Sequence, residues 1–289
     1  MDNSKTFLIT GGTGYIGGYL TKYLLRKYDN CKIYLLVRSS SNIPKEFYND
    51  KIHIVEYNGE SSLIEPIKNS NYCIHLAALY TKGVNEEEID QLIDSNIKLS
   101  SHIFNVADKY NNNISIVTAS TFSSLDENAE LMPQTFYAAT KSSVEIIAKY
   151  YKGLSIKFLT FPDTYGPNDS RPKIHNILNK NQNWPFTFNS SSKQEMYMMN
   201  VEDLVNHIMI ALDNNDKGVT IYDTFLSGDL ITLGELAEYL GVKDKCIFNE
   251  SNPVVKLPKI SKNKTIKYTN KHNVKNVNLC QPKGLATSH

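Results

Sequence analysis

The sequence predicts an α/β protein with a doubly wound parallel sheet, because short apolar runs alternate with longer stretches of helical periodicity. The predicted strands are residues 6–10, 32–37, 52–55, 72–76, 114–117 and 156–159. The main predicted helices are residues 15–28, 86–110 and 134–151. The strands are apolar on both faces, which is typical of a parallel sheet covered by helices on each side. The strict alternation predicts right-handed crossovers.

The composition argues against several classes of protein. The 289 residues carry 31 basic and 30 acidic side chains, so no overall charge attracts nucleic acid or an anionic membrane. Four cysteines lie far apart without a C-x-x-C pair, which predicts reduced thiols and no metal site. The N-terminus lacks the apolar segment of a signal peptide, and no apolar run approaches the length of about 18 residues that a membrane span needs. We therefore expect a cytoplasmic protein.

A glycine-rich segment lies between the first predicted strand and the first predicted helix. Gly11, Gly14 and Gly17 have the spacing G-x-x-G-x-x-G. In such a loop one glycine makes the tight turn, a second lets the backbone approach a pyrophosphate, and a third lets the helix pack on the sheet. The helix N-terminus then offers N–H groups to phosphate. The strand and helix around the motif distinguish it from a simple turn, so we predict a dinucleotide-binding domain of the Rossmann type.

The end of the second predicted strand indicates which dinucleotide binds. An acidic residue there favours NAD because it bonds the ribose hydroxyls, whereas a basic residue accommodates the 2′-phosphate of NADP. This chain has Arg38 followed by three serines, and no acid. Since Arg38 can form a bidentate pair with phosphate, we predict NADP, with NAD as the alternative.

Tyr137 and Lys141 are the predicted catalytic pair. They lie four residues apart and share one helix face. An ammonium beside a phenol lowers the pKa of the phenol, so that Tyr137 can exchange a proton with a substrate oxygen while hydride moves. The same spacing recurs at Tyr23/Lys27, Tyr28/Lys32 and Tyr239/Lys243. Position favours Tyr137, because its helix follows the fifth strand at the carboxyl edge, where open sheets bind ligands.

A hydroxyl-rich segment, residues 118–124, ends the fifth predicted strand. We predict that Thr121 holds the substrate carbonyl or alcohol beside Tyr137, with Ser120 as the second choice. The alternative is an ordinary loop rich in serine and threonine.

The sequence pattern changes after residue 162, which predicts two units. Residues 1–165 form the dinucleotide-binding domain, to which about 196–213 return, and residues 166–289 form mainly a small α/β lobe that binds substrate. In that lobe residues 201–213 and 232–240 are predicted helices, the second with a capping box formed by Thr232 and Glu235. Residues 249–278 are polar and rich in lysine, so we expect a surface loop region or partial disorder.

Together these residues resemble the extended short-chain dehydrogenase/reductase family, which includes the NAD-dependent epimerases and dehydratases. The resemblance covers about residues 1–245. Residues 75–78 match the family's H-L-A-A, Asn96 matches an asparagine in the next helix, residues 165–167 match its Y-G-P, and residues 200–203 match its V-D-D. Their order and spacing are jointly specific. Within the family the chain is most similar to nucleotide-sugar 4-ketoreductases.

The resemblance implies roles for the matching positions. Thr121, Tyr137 and Lys141 form the catalytic triad. The cofactor-binding set, besides Tyr137 and Lys141, comprises Gly11, Thr13, Gly14, Tyr15, Ile16, Arg38, Asn58, Leu76, Ala77, Ala78, Phe161, Pro162 and Thr164. The predicted substrate-binding residues are Tyr80, Phe122, Asp163 and Arg171.

Several positions depart from the family pattern. Related 4,6-dehydratases carry Asp-Glu after the hydroxyl residue, whereas Thr121 is followed by Phe122 and Ser123, which argues against dehydration. Met196 and Tyr197 stand where many members have the Arg-Asp pair that binds the nucleotide diphosphate. Diphosphate binding must then use other residues, with Arg171 and Lys173 as candidates, or the substrate is not a nucleotide sugar. Asn58 replaces the adenine-contacting aspartate, and Asp163 replaces the asparagine before Y-G-P.

Three functions agree with these residues. The first is NADPH-dependent reduction of a 4-keto(-6-deoxy) nucleotide sugar in deoxysugar biosynthesis, in which Tyr137 donates the proton and Thr121 polarises the carbonyl. Arg38 favours it, since net reduction generally draws on NADPH. The second is a nucleotide-sugar epimerase with tightly held NAD. The third is a non-catalytic dinucleotide-binding protein, against which the intact triad argues.

The resemblance also implies a homodimer, formed through the helices at residues 86–110 and 134–152. The candidate outward-facing residues are Ile103, Val106, Ile147 and Tyr151, for which a role in the core is the alternative.

Overall fold

The computed structural model of the protein describes residues 4–39, 42–81, 85–259 and 263–275. The strands are β1 (Lys5–Thr10), β2 (Cys31–Val37), β3 (Ile52–Glu56), β4 (Tyr72–His75), β5 (Ser115–Thr121), β6 (Ser155–Phe161), β7 (Asp163–Tyr165), β8 (Phe186–Phe188), β9 (Glu195–Asn200), β10 (Gly218–Tyr222), β11 (Asp229–Thr232) and β12 (Cys246–Phe248). The α-helices are α1 (Tyr15–Lys27), α2 (Ser61–Asn69), α3 (Glu86–Leu92), α4 (Leu99–Tyr110), α5 (Phe136–Ala148), α6 (Ile174–Lys180), α7 (Val201–Asp213) and α8 (Leu233–Tyr239).

The central sheet has seven strands in the order β10-β6-β5-β4-β1-β2-β3, and every neighbouring pair is parallel. This confirms the predicted parallel α/β fold and adds one strand to the six that the sequence predicted. The additional strand, β10, pairs with β6 from Gly218 opposite Ser155 to Tyr222 opposite Leu159. It escaped prediction because it is an edge strand whose residues, apart from Tyr222, are only partly buried. Its sequence therefore lacks the doubly apolar pattern of the inner strands.

Two hydrophobic layers cover the two faces of this sheet. On one face α1 and α7 pack against side chains of β1, β2 and β6, with Leu20, Leu24 and Ile208 completely buried. On the other face α2, α4 and α5 pack around Leu8 and Phe158. Helices on both faces bury strands that are apolar on both sides, which holds the carboxyl edge of the sheet in a fixed position.

The helix predicted for residues 86–110 is interrupted. A π-helical segment, Ile93–Lys98, separates α3 from α4. The extra residue of a π-turn directs Asn96 inward, where its side chain is 1% exposed and bonds the backbone of Leu79. The regular apolar spacing of residues 86–110 could not reveal this insertion. Helix α2, which contains Pro66, was also not predicted.

The remaining strands form two small sheets, and these strands together with α6 and α8 are called the second lobe here. β7 and β9 run parallel, β11 is antiparallel to β9, and β12 runs parallel to β8. Helix α8 begins with the predicted capping box, because Thr232 and Glu235 bond each other's backbone N–H groups. Aromatic residues around Phe188 and Phe248 pack against Leu178 in the core of this lobe.

Residues 263–275 are ordered against the central domain, whereas the sequence suggested a surface loop region or partial disorder for 249–278. Asp203, at the start of α7, accepts bonds from the backbone N–H groups of Lys271 and His272 and from the hydroxyl of Tyr268. Lys264 bridges to Tyr222 of β10. These bonds join residues that are far apart in sequence, so local composition could not predict them. Residues 260–262 and 276–278 lie outside the described residues.

Within the described ranges no helix is long and apolar enough to cross a membrane, and no group of three metal-ligating side chains occurs. Cys31 and Cys73 are buried and Cys246 is half-buried. Cys280 lies outside the described residues.

Candidate active site

The glycine loop lies between β1 and α1, at the carboxyl edge of the central sheet. Gly11 has φ +70°, and a Cβ atom built on it would lie 2.6 Å from the backbone nitrogen of Ala77. Gly14 is the N-cap of α1 and contributes no side chain to the cap, so the first N–H groups of the helix stay available to a ligand. These residues fit a dinucleotide, because the backbone leaves room for a pyrophosphate where side chains would fill it.

A cleft of about 370 Å³ opens beside this loop. Seven predicted cofactor residues line it: Gly11, Thr13, Gly14, Arg38, Leu76, Ala77 and Ala78. The remaining lining residues are Thr10, Leu36, Val37, Tyr57, Leu79, Asp94, Ser95 and Leu99. The other predicted cofactor positions lie outside this described lining: Tyr15, Ile16, Asn58, Tyr137, Lys141, Phe161, Pro162 and Thr164.

Arg38 and Tyr57 both line the cleft. The backbone N–H of Tyr57 donates to the carbonyl of Val37 at 2.9 Å, which brings the end of β3 beside the end of β2. Asn58, assigned to the adenine position from sequence, is exposed, and its backbone N–H bonds Ser62. Tyr57 lines the cleft in its place. Ser40 and Ser41, which follow Arg38, lie outside the described residues.

Tyr137 lies in the first turn of α5, and Lys141 follows one turn later. Burial raises the pKa of Tyr137 to about 12, and the nearby Tyr80 adds to the rise. Burial lowers the pKa of Lys141 to about 8, against the opposing effect of Glu145. The expected lowering of the Tyr137 pKa is therefore absent from this structure, because desolvation of the phenol dominates. Tyr137 is a protonated phenol at neutral pH, the state that a proton donor needs.

The end of β5 is tied to the start of α5. Thr121 caps a short 3₁₀ turn, and its hydroxyl accepts from the N–H of Ser123 at 3.3 Å. The hydroxyl of Ser124 donates to the carbonyl of Ala138 at 3.2 Å. These bonds hold the segment after Thr121 against the turn of α5 that carries Tyr137.

Asn96 joins the cleft wall to the catalytic helix. Its amide oxygen accepts from the N–H of Leu79 at 2.8 Å, and its amide nitrogen donates to the carbonyl of Leu79 and to the hydroxyl of Thr140. Thr140 precedes Lys141 on α5. The side chain thus fixes the loop after β4 relative to the helix that carries Tyr137.

His75, the first residue of the His-Leu-Ala-Ala match, has a structural position. It is 1% exposed and bonds the hydroxyls of Thr10 and Ser100 through its two ring nitrogens. Burial, reinforced by the charge of Lys141, lowers the pKa of His75 to about 3. His75 is therefore neutral at physiological pH and links β4 to β1 and α4.

Two predicted substrate residues are aromatic and lie beside the catalytic helix or the β5 loop. The ring of Tyr80 is 61% exposed and packs edge-on against Tyr137, with 5.2 Å between ring centroids. Phe122 packs against Phe225, which is buried with Tyr197 and Leu257. Tyr80 thus borders the phenol of Tyr137 directly, whereas Phe122 belongs to an apolar cluster with Phe225, Tyr197 and Leu257.

The other two predicted substrate residues are engaged within the chain. Arg171 bonds the carboxylate of Asp169 at 2.7 Å and the carbonyl of Thr164 at 2.8 Å. Asp163 pairs with Lys173 at 2.5 Å. Both diphosphate candidates, Arg171 and Lys173, therefore already have carboxylate partners.

Eight of the lining residues were not among the predicted cofactor positions, and Glu145 and Asp169 were not predicted as site residues either. Tyr57 lines the cleft, Glu145 lies one turn beyond Lys141, and Asp169 holds Arg171. The position of Tyr57 beside Asn58 was a usable signal, because ±1 residue is within the error of strand-end prediction. For Glu145 the i+4 spacing to Lys141 was visible, but its bond with Ser120 of β5 was not.

The fold and the cleft define a dinucleotide-dependent enzyme of the Rossmann type. The chain belongs to the NAD dependent epimerase/dehydratase family, whose model matches residues 7–224. It is thus an NAD(P)-dependent enzyme of the extended short-chain dehydrogenase/reductase type.

Individual relatives agree with this assignment. The CDP-abequose synthase of Yersinia pseudotuberculosis is 26% identical over 218 residues, which cover 72% of this chain and 74% of that protein. The dTDP-D-glucose 4,6-dehydratase of Dictyostelium discoideum is 27% identical over 260 residues, which cover 74% of this chain and 57% of that protein.

Solved structures share the fold. The dTDP-glucose 4,6-dehydratase of Bacillus anthracis in complex with NAD superposes with a TM-score of 0.77 at 18% identity, over 94% of this chain and 93% of that one. MoeE5 in complex with UDP-glucose and NAD gives a TM-score of 0.73 at 17% identity, over 93% and 95% of the two chains. At these identities the likeness concerns the fold alone.

Proposed function

We propose that this protein reduces the keto group of a 4-keto(-6-deoxy) nucleotide sugar with NADPH. The observation that carries the proposal is the position of Arg38, which lines the dinucleotide cleft where the adenosine ribose is expected. A guanidinium there pairs with a 2′-phosphate, and NADPH generally serves net reductions. The similarity to CDP-abequose synthase and to a protein that binds UDP-glucose supports a nucleotide sugar as substrate.

The residues around Tyr137 suit proton donation to a carbonyl. The bound dinucleotide supplies hydride. The phenol of Tyr137 is protonated at neutral pH, and it gives its proton to the substrate oxygen as negative charge develops there. The hydroxyl of Thr121 donates a hydrogen bond to the same oxygen. Lys141, protonated, stabilises the phenolate that remains on Tyr137 after the transfer.

The segment after Thr121 argues against dehydration. Elimination of water needs an acid and a base beside the sugar, whereas Phe122 packs against Phe225 and Ser123 bonds Thr121 through its backbone. The reduction that we propose needs only the hydroxyl residue, the phenol and the ammonium.

An epimerase with tightly bound NAD is the second candidate. It rests on a specific observation, the complexes of MoeE5 and of the Bacillus anthracis dehydratase with NAD. The same three residues would then serve oxidation followed by reduction. Protein purified with bound NAD that turns over without added NADPH would favour this candidate.

The test is NADPH oxidation against a panel of CDP-, dTDP-, GDP- and UDP-4-keto-6-deoxy sugars. We expect oxidation with at least one of them, and its loss in Tyr137→Phe, which keeps the ring and removes the proton. Arg38→Ala should raise KM for NADPH by about tenfold to a hundredfold, the usual value of a charge-assisted phosphate contact, and leave KM for NADH unchanged. Arg26→Ala on α1 is the matched control.

Protein that binds NADPH but oxidises it with no member of the panel would refute the proposed reduction. Equal effects of Arg38→Ala on NADPH and NADH would refute the role of Arg38 in selecting the cofactor.

We also propose that the protein forms a homodimer through the end of α5 and the turn that follows it. Ile103 and Val106, two of the expected outward-facing residues, are buried in the core, and Ile147 and Tyr151 pack against the same core. Ile146 and Tyr150 instead face outward, and they are 58% and 80% exposed. Ile146 lies in the last turn of α5 and Tyr150 in the turn after it, and neighbouring exposed apolar side chains suit contact with a second copy. In light scattering the wild type should have the mass of a dimer and Tyr150→Glu that of a monomer. A monomeric wild type would refute the dimer, and a variant that stays dimeric would refute this interface.

A further inference from the structure

A half-buried carboxylate, Glu145, lies on the same helix as Lys141. Glu145 follows Lys141 by one turn of α5, so the two side chains lie on the same helix face. The hydroxyl of Ser120, in β5, donates a hydrogen bond to Oε1 of Glu145. Ser120 is 5% exposed and directly precedes Thr121. The bond fixes the carboxylate between the catalytic helix and the strand that presents Thr121.

The ammonium of Lys141 is buried in the protein. The Lys141 side chain is 2% exposed, and its positive charge helps to lower the pKa of His75. Burial lowers the pKa of Lys141, and Glu145 is the charged group that opposes this change. A buried ammonium near neutral pH retains its proton only when a neighbouring negative charge compensates for lost hydration.

Glu145 in turn is acted on by groups from three elements. Burial raises its pKa, whereas the Ser120 bond and the charges of Lys141 and Lys149 lower it. Asp223, which follows β10, raises it through like-charge repulsion. Asp223 is completely buried, and its Oδ1 accepts from the amide of Asn263 at 3.0 Å. The charge of Lys141 therefore favours the ionised form of Glu145, whereas the charge of Asp223 disfavours it.

We propose that Glu145, held by Ser120, is a positioning residue that keeps Lys141 protonated through the catalytic cycle. The inference rests on the proposed role of Lys141 in stabilising the Tyr137 phenolate. The charge on Glu145 lets Lys141 hold its proton while Tyr137 gives its own to the substrate. Without that charge, Lys141 loses its proton to solvent near neutral pH, and the phenolate forms without a cation beside it.

The first test measures Lys141 directly and does not depend on turnover. Lysine side chains labelled with ¹³C at Cε are titrated by NMR, with Lys141→Arg and Lys157→Met assigning the two signals that titrate near pH 8. Glu145→Gln keeps the shape of the side chain and its bond with Ser120. We expect it to lower the pKa of Lys141 by about one unit. Glu145→Asp, which keeps the charge, should restore most of it. An unchanged Lys141 titration in Glu145→Gln would overturn the proposal.

The second test measures the alkaline limb of the pH profile of kcat. Glu145→Gln should move that limb to lower pH by the same amount, while KM for the sugar stays within about twofold, because Glu145 does not touch substrate. Glu46→Gln is the matched control, since Glu46 is an exposed carboxylate that pairs with Lys22, and it should leave both readouts unchanged.

Asp223→Asn provides a comparison of opposite sign. The charge of Asp223 opposes ionisation of Glu145, so its removal should raise the pKa of Lys141 or leave it unchanged. A fall equal to that of Glu145→Gln would overturn the specific role of Glu145. If no sugar of the panel is reduced, the proposed reaction fails, whereas the NMR titration still decides the coupling between Glu145 and Lys141.

Discussion

The guanidinium of Arg171 lies over the ring of Tyr15, with 4.3 Å between the guanidinium carbon and the ring centroid. Tyr15 opens α1 directly after the glycine loop, whereas Arg171 lies in the loop that leads into the second lobe. The hydroxyl of Tyr15 also donates to the carbonyl of Pro167 at 3.4 Å. The guanidinium of Arg171 thus connects the start of α1, next to the glycine loop, to the segment that leads into the second lobe.

Arg171→Ala should lower the free energy of unfolding by about 3 kcal/mol. The substitution leaves Asp169, whose side chain is 1% exposed, without its guanidinium partner, and breaking one side of a buried ion pair carries a cost of this order. It also frees Tyr15, so NADPH binding should weaken. Urea unfolding and fluorescence titration with NADPH measure the two effects.

Lys22→Ala is the control for Arg171→Ala. Lys22 pairs with Glu46 at the surface, where both side chains are about half exposed, and its loss should change stability by less than about 0.5 kcal/mol. Similar results for the two variants would mean that the Arg171–Asp169 pair does not stabilise the fold.

Gly11→Ala should weaken dinucleotide binding by about tenfold or more. The added Cβ meets the backbone nitrogen of Ala77 at 2.6 Å, and φ is +70°, so the loop must move. Gly241 has nearly the same φ, +69°, but no described atom lies within 4 Å of the place that a Cβ on it would take. Gly241→Ala should therefore cost only about 1 kcal/mol of stability and leave NADPH affinity unchanged. Isothermal titration calorimetry measures the NADPH affinity of the two variants. Equal affinity in Gly11→Ala and Gly241→Ala would contradict the prediction.

His75 should make the protein less stable in mild acid. Its pKa in the native state is about 3, lowered first by burial and then by Lys141, whereas an unfolded histidine titrates near 6.5. Between these values only the unfolded state binds the proton, so stability falls as pH falls below about 6.5. Integration gives a loss of about 2 kcal/mol between pH 6.5 and pH 5.

His75→Asn tests this origin. The variant should be less stable at neutral pH, because it disturbs the bonds to Thr10 and Ser100, but its stability should depend less on pH between about 5 and 6.5. Exposed His53→Asn is the control, and it should keep the wild-type slope in urea unfolding. A slope unchanged in His75→Asn would show that another group takes up the proton.

Lys157→Met should stabilise the protein by about 2 kcal/mol at pH 7. Lys157 is completely buried in β6, and burial lowers its pKa to about 8. Its ammonium bonds the hydroxyls of Ser115 and Ser155, but both hydroxyls donate to backbone carbonyls as well. Replacing a buried charge by an apolar group of similar length removes the desolvation cost and leaves those hydroxyls bonded.

The wild type should gain stability between about pH 8 and pH 10.5, where only the unfolded Lys157 binds a proton, and Lys157→Met should lose that gain. Urea unfolding at pH 7 and above pH 9 measures both effects, with exposed Lys45→Met as control. A Lys157→Met protein less stable than wild type at pH 7 would show that the ammonium's bonds outweigh its burial.

The parts of the fold that follow from local periodicity were predictable. The first strand was predicted at residues 6–10 and spans Lys5–Thr10, and the capping box of Thr232 was visible from its spacing to Glu235. The glycine loop was recognisable because turn, phosphate approach and helix packing are all encoded within seven residues. Gly11, Gly14 and Arg38 accordingly line the cleft together.

Features that depend on distant partners were not predictable. Arg171 looked available for a phosphate, but Asp169 and Thr164 occupy its guanidinium. The pKa of Tyr137 was expected to fall because Lys141 is near in sequence, yet desolvation, which depends on what the tertiary structure packs around the phenol, raises it. Spacing reports which side chains share a face, and it does not report what covers them.

The order of the central sheet has a consequence for synthesis on the ribosome. Strand β10 and helix α7 are translated after residue 200, yet they complete a sheet and a hydrophobic layer that begin at β1. Until they emerge, Leu20 and Leu24 of α1 lack their contacts with Ile208, and the edge of β6 lacks its neighbour. The nascent chain therefore exposes an apolar helix face and an unpaired strand edge until α7 and β10 have been synthesised. We expect chaperones that bind apolar segments to bind it during translation.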